Sequence, residues 1–136
     1  MRMANRISRV GYAFHDRKVD DVSFTRQLAA RLVTDLQLDA HGVFATSMSN
    51  GGDLCDLMAC QLEPLIMAIA PVAGTMMSAW DKSPVGKTCV PIFAVNGTAD
   101  TVTRWKADPT NQDGWGEYLG VNDVIGTWIR GLRLEI

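Results

Sequence analysis

The run Ser47-Met48-Ser49-Asn50-Gly51-Gly52 has residue types and spacing that could do chemistry. A serine hydroxyl alone is a poor nucleophile. It needs a base to take its proton and donors to hold the oxyanion that forms. Small residues around Ser49 suit a sharp strand-to-helix turn, which holds a serine in a strained backbone conformation with its Oγ exposed. The spacing is Ser47-x-Ser49-x-Gly51, so a serine replaces the first glycine usual in such a turn. The backbone N–H of Asn50, next after Ser49, is placed to be one oxyanion donor, and a helix N-terminus there adds positive potential. Asp100 follows a β-prone run later in the chain and fits the acid that orients a histidine and stabilises its imidazolium. Plainer readings stand beside these: a glycine turn that happens to hold a serine, and an ordinary turn aspartate.

These residues need elements to position them. Val22, Leu28, Ala29, Leu32, Val33 and Leu36 recur at three- and four-residue steps, which predicts an amphipathic helix from Asp20, with Asp20 and Asp21 as N-cap and dipole partners. Val43-Phe44-Ala45-Thr46 is a short β-prone run that leads into the serine motif. Leu54 to Leu62 predicts a helix closed before Pro64. Leu65 to Val72 is apolar without alternation and reads as a strand buried on both faces. Residues 74–89 read as a loop, Val90 to Val95 as a third strand, and Asn96-Gly97-Thr98-Ala99-Asp100 as a turn. After the polar segment 101–120, Val121, Val124, Ile125, Trp128, Ile129 and Leu132 keep helical spacing. Asn122 is the expected N-cap, and Gly126 and Gly131 each weaken the helix by about 1 kcal/mol relative to Ala. This order predicts α/β layering around a short, mainly parallel sheet.

The 136 residues suit a single domain, and 47% hydrophobic with 21% charged residues suits a globular one. A net charge of -2 gives no electrostatic reason to expect nucleic acid. The longest apolar stretch, Leu65 to Gly74, is too short to span a bilayer, so no membrane partner is expected, and the start carries no signal-peptide pattern. The three cysteines, Cys55, Cys60 and Cys89, have no disulfide or zinc spacing. Cys55 and Cys60 read as small core residues of a helix. No cofactor or metal is expected. No feature specifies an oligomeric state.

Four segments in one order carry a resemblance: 19–24 (VDDVSF), 43–52 (VFATSMSNGG), 68–75 (AIAPVAGT) and 96–100 (NGTAD). Together they resemble the polyhydroxybutyrate depolymerase and feruloyl esterase-like branch of the α/β-hydrolases, from about Gly11 to Asp100. The resemblance implies a partial, three-layer α/β-hydrolase fold over residues 1–136. It also implies carboxylic ester hydrolysis by a serine, aspartate and histidine triad, acting on small esters, polyesters or polysaccharide-linked feruloyl and acetyl esters. Such proteins are usually secreted, so an extracellular site is the implied location. Ser49 matches the nucleophile and Asp100 the acid. The family often has histidine where Asn96 stands, and its base is a histidine near the C-terminus.

No histidine follows Asp100; the chain has only His15 and His41. His41 precedes the strand that ends at Ser49 and belongs to the wrong edge of the sheet. His15 precedes the helix that leads into that strand, on the correct side, and reads more plainly as a solvated loop histidine. The loop that usually gives the second oxyanion donor lies upstream of everything here. The sequence therefore reads as the central portion of an esterase that is active when complete. A catalytically incomplete scaffold and a serine peptidase on the same fold are its alternatives.

Overall fold

The computed structural model describes residues 20–62, 64–78 and 90–132. His15, Cys89, the segment 1–18 and most of the predicted 74–89 loop lie outside them. Five elements follow in chain order: α1 (Asp21–Leu36), β1 (Phe44–Met48), α2 (Asn50–Gln61), β2 (Ala68–Val72) and α3 (Val121–Leu132).

Local sequence explains where these elements start and stop. Asp20 caps α1, with its carboxylate accepting from the Ser23 N–H at 2.9 Å and from the Ser23 hydroxyl at 2.7 Å. These bonds hold its carboxyl below the usual carboxylate range. α1 ends at Gln37, whose left-handed φ of 52° lets its own N–H return to the Val33 carbonyl. α3 starts at Val121, where the Gly120 carbonyl accepts from Asp123 and Val124 at 3.0 Å. The expected N-cap Asn122 therefore sits inside the first turn.

β1 and β2 pair in parallel, with Phe44 opposite Ala68 and Met48 opposite Val72. Residues 91–95 extend this sheet beyond β2. Ile69 accepts from Phe93 and donates to Pro91, and Pro71 accepts from Val95. The predicted third strand is thus two parallel bridges, Ile69 to Ile92 and Val72 to Val95, rather than a continuous ladder. The reason is Pro71. It has no N–H to give the Phe93 carbonyl that faces it, so the ladder breaks at its middle.

One hydrophobic cluster joins Val22 of α1, the inner face of α2 and Val124 and Trp128 of α3 to Val43, Ala45, Ile69 and Ile92. These sheet residues alternate with Phe44, Met48, Phe93 and Val95, which point to the other face and are exposed. The expected three layers therefore reduce to two among the described residues, with helices on one face. β2 is likewise not buried on both faces; its Ile69 and Pro71 are buried, and its other residues are half-buried. The apolar stripe of α1 also differs from expectation. Leu28, Leu32 and Leu36 are exposed, and only Val22 and Val33 turn inward far enough to be half-buried along that stripe with Ala29.

Two buried carboxyls tie α2 to its surroundings. Asp53 accepts from the Thr75 N–H at 2.8 Å, and Asp56 accepts from the Trp128 indole at 3.2 Å. The polar segment after Asp100 is also fixed. Arg104 pairs with Asp113 at 2.7 Å, Asp108 accepts from the Gln112 and Asp113 amides, and Trp115 stacks on Tyr118.

Burial raises Asp53 to about 6 and Asp56 to about 7, outweighing their hydrogen bonds; the Asp53 charge raises Asp56 further. A carboxyl raised in the folded state binds its proton more tightly there than in the unfolded chain. Its contribution is fully present below the unfolded value of 3.8 and is lost as pH rises through the folded values. Urea unfolding from about pH 4 to about pH 7 should show stability falling, by up to ~1.4 kcal/mol per pH unit for each group inside its window. Asp56→Asn should flatten that slope.

Candidate active site

Ser49 occupies the turn between β1 and α2. Its backbone has φ 57° and ψ -124°, a combination natural to glycine and strained for serine. Hydrogen bonds hold it there from both sides. The Ser49 N–H donates to the Val72 carbonyl at 2.9 Å, and the Ser49 carbonyl accepts from Asp53 N–H at 3.0 Å. The side chain is left at the C-terminal edge of the sheet, where its hydroxyl lies 3.4 Å from the Asn50 side-chain oxygen. Asn50 is the first residue of α2, a position whose backbone N–H has no partner within the helix.

The local sequence permits this turn because two backbones can touch. A Cβ on Gly52 would lie 2.9 Å from the Gly74 Cα and 3.0 Å from the Val72 carbonyl oxygen. A Cβ on Gly51 would collide with the Ser47 side chain, its hydroxyl above all. Ser47 therefore does fit in place of the usual first glycine, and Gly51 makes the room.

Asp100 lies five residues past Val95, which bridges to Val72, the partner of Met48 in β1. Ser49 and Asp100 thus leave the same edge of the sheet, from strand positions separated by two spacings, roughly 10 Å. One Asp100 oxygen, Oδ1, accepts from the Val102 N–H at 2.8 Å and the Thr103 N–H at 3.1 Å. That is the geometry of an aspartate turn. Asn96 sits between these segments and donates from its side chain to the Gly74 carbonyl at 3.0 Å.

His41 lies in the turn before β1, exposed, with its backbone N–H on Asp39. The five residues of β1, at about 3.3 Å each, separate it from Ser49. Among the described residues, then, the structure brings Ser49, Asn50 and Asp100 to one edge and leaves His41 at the other.

Asp53 and Asp56 are near this turn and were not singled out by sequence reasoning. The available signal was two carboxylates three residues apart on an otherwise apolar helix. Cys55 and Cys60 are buried as expected. Among the described residues, no group of His, Cys, Asp and Glu is arranged to hold a metal. Likewise, no described helix is long and apolar enough to cross a membrane.

No protein-family model matches the chain, and no curated protein matches it.

The close passage at Gly52 and Gly74 makes a direct prediction. Gly74→Ala and Gly52→Ala should each cost about 2–3 kcal/mol in chemical denaturation, because the obstructing atoms are backbone. A fully folded Gly74→Ala protein of unchanged stability would contradict the geometry.

Proposed function

We propose that Ser49 is the nucleophile of a carboxylic ester hydrolase, active in its complete form, of the polyhydroxybutyrate depolymerase and feruloyl esterase-like branch of the α/β-hydrolases. The observation that supports this most is the strained Ser49 backbone at a strand-to-helix turn, held by hydrogen bonds from two elements. Strain of this kind is worth about 1–3 kcal/mol and serves to present a side chain rather than to pack one. The resemblance of four ordered segments adds the reaction class.

In this reading, Ser49 Oγ attacks the ester carbonyl carbon and the acyl C–O bond to the alcohol breaks after the tetrahedral intermediate forms. Asn50 N–H donates to the oxyanion. Asp100 orients a histidine that takes the serine proton and later returns it to the leaving alcohol. Substrates are small esters, polyesters or polysaccharide-linked esters, and the setting is extracellular, both by resemblance. The histidine is not supplied after Asp100.

A second reading is favoured by that point and by the Asp100 turn. Here the 136 residues keep the scaffold without turnover, and Asp100 Oδ1 serves its own backbone. A serine peptidase on the same scaffold differs in its leaving group, and parallel assays on amide and ester substrates separate the two.

In the complete protein, a fluorophosphonate probe should label Ser49 and leave Ser49→Ala unlabelled. Steady hydrolysis of a short synthetic ester, unchanged in Ser49→Ala, would refute the proposal. Asp100→Asn keeps the turn's acceptor oxygen and removes the charge. If Asp100 orients the base, hydrolysis should fall by orders of magnitude while the melting temperature holds.

A further inference from the structure

A cavity of about 540 Å³ lies between α3 and residues 91–96, with Gly74 and Asn96 also in its wall and Ser49 outside its lining. Its walls are apolar and include Ile92, Phe93, Val124, Ile125 and Trp128. Ile125 is solvent-exposed, at 43%, so the cavity is reached from outside. Asp56 of α2 also lines it and is 1% exposed. One Asp56 oxygen, Oδ1, accepts from the Trp128 indole. The other oxygen has no hydrogen-bond partner among the described residues.

A buried carboxyl in apolar surroundings normally finds a cation or a full set of donors. Here the single donor is neutral, and the charged neighbour that acts on Asp56 is Asp53, of the same sign. Another group close by on α2 is the Cys55 thiol, which burial, and after it the Asp56 charge, push up to about 11. β2 and residues 91–96 carry no ionisable side chain. On α3, Asp123 and Arg130 are exposed and shift neither buried carboxyl. The cavity thus combines an apolar volume typical of small-molecule sites with a carboxyl at its inner wall that no cation among the described residues partners.

We propose that this cavity is a binding site for a small organic cation, an apolar body bearing a protonated amine that pairs with the Asp56 carboxylate. The Trp128 indole stays on one carboxylate oxygen, and the ammonium takes the other. An aromatic or branched aliphatic body fills the space between Ile92, Val124 and Ile125. Because Asp56 holds a proton up to about 7, amine and proton compete for it, and binding strengthens as pH rises.

The test is calorimetric titration of the 136-residue chain with 2-phenylethylamine, against neutral 2-phenylethanol as the matched body without charge. At pH 8 the amine should bind at least about tenfold more tightly than the alcohol. Its affinity should fall by about tenfold per unit below pH 7, and Asp56→Asn should erase the preference. Ile125→Trp, which fills the cavity from its exposed wall and spares Asp56, should weaken the amine by about tenfold or more, and serves if Asp56→Asn does not fold. Ser49→Ala should bind the amine unchanged, which separates this site from ester hydrolysis. Equal binding of the two probes, binding of neither, or a preference that survives in Asp56→Asn would overturn the proposal.

Discussion

The backbones of Gly52 and Gly74 run against each other where α2 leaves β1 and the chain leaves β2. Nothing larger than hydrogen fits on either Cα, and several other contacts rest on this one. With the two segments in touch, the Ser49 N–H reaches Val72, and the Asp53 carboxyl reaches the Thr75 amide. The chain after β2 is then placed to receive Val95 and Asn96, which bring residues 96–100 to the same edge. The strained serine is therefore a local result of a packing constraint that spans the width of the sheet. Two short strands alone would not impose it.

Much of this was readable in the residue order. Ser49 with Gly51 and Gly52 after a β-prone run marked the turn, and Asp20 before Val22 marked the start of α1. The spacing of Val121, Val124 and Trp128 marked α3 and its buried face. What escaped was tertiary. An apolar run tells nothing of how many faces are covered, so Leu65 to Val72 read as a strand buried on both faces, when the strand is Ala68–Val72 and only its Ile69 and Pro71 are buried. The alternation of Phe44 and Met48 with Ala45 was too short to announce an open face. Pro71 removes one hydrogen bond from a ladder that has to be assembled before the gap matters. Leu28, Leu32 and Leu36 have helical spacing whether or not anything lies against them.

The candidate site was legible to the same degree. Ser49, Asn50 and Asp100 come from motifs, and motifs survive in a linear reading. Asp53 and Asp56 do not, because their character depends on which helix face is buried and on Trp128, distant in sequence, arriving beside Asp56. An aspartate in the same positions of a solvated helix would be unremarkable. Buried between apolar layers it becomes a reservoir of charge that the fold accommodates mainly by keeping it protonated.

The dihedral angles at Ser49 also bear on what keeps a serine at this position. Glycine adopts φ 57° and ψ -124° freely, and every hydrogen bond that holds the turn uses backbone atoms of residue 49. Judged by folding alone, glycine is the better residue, and random mutation under selection for stability would drift toward it. Serine there costs the fold a strain that glycine would not, and the two residues differ otherwise only in the hydroxymethyl group that serine carries to the edge of the sheet.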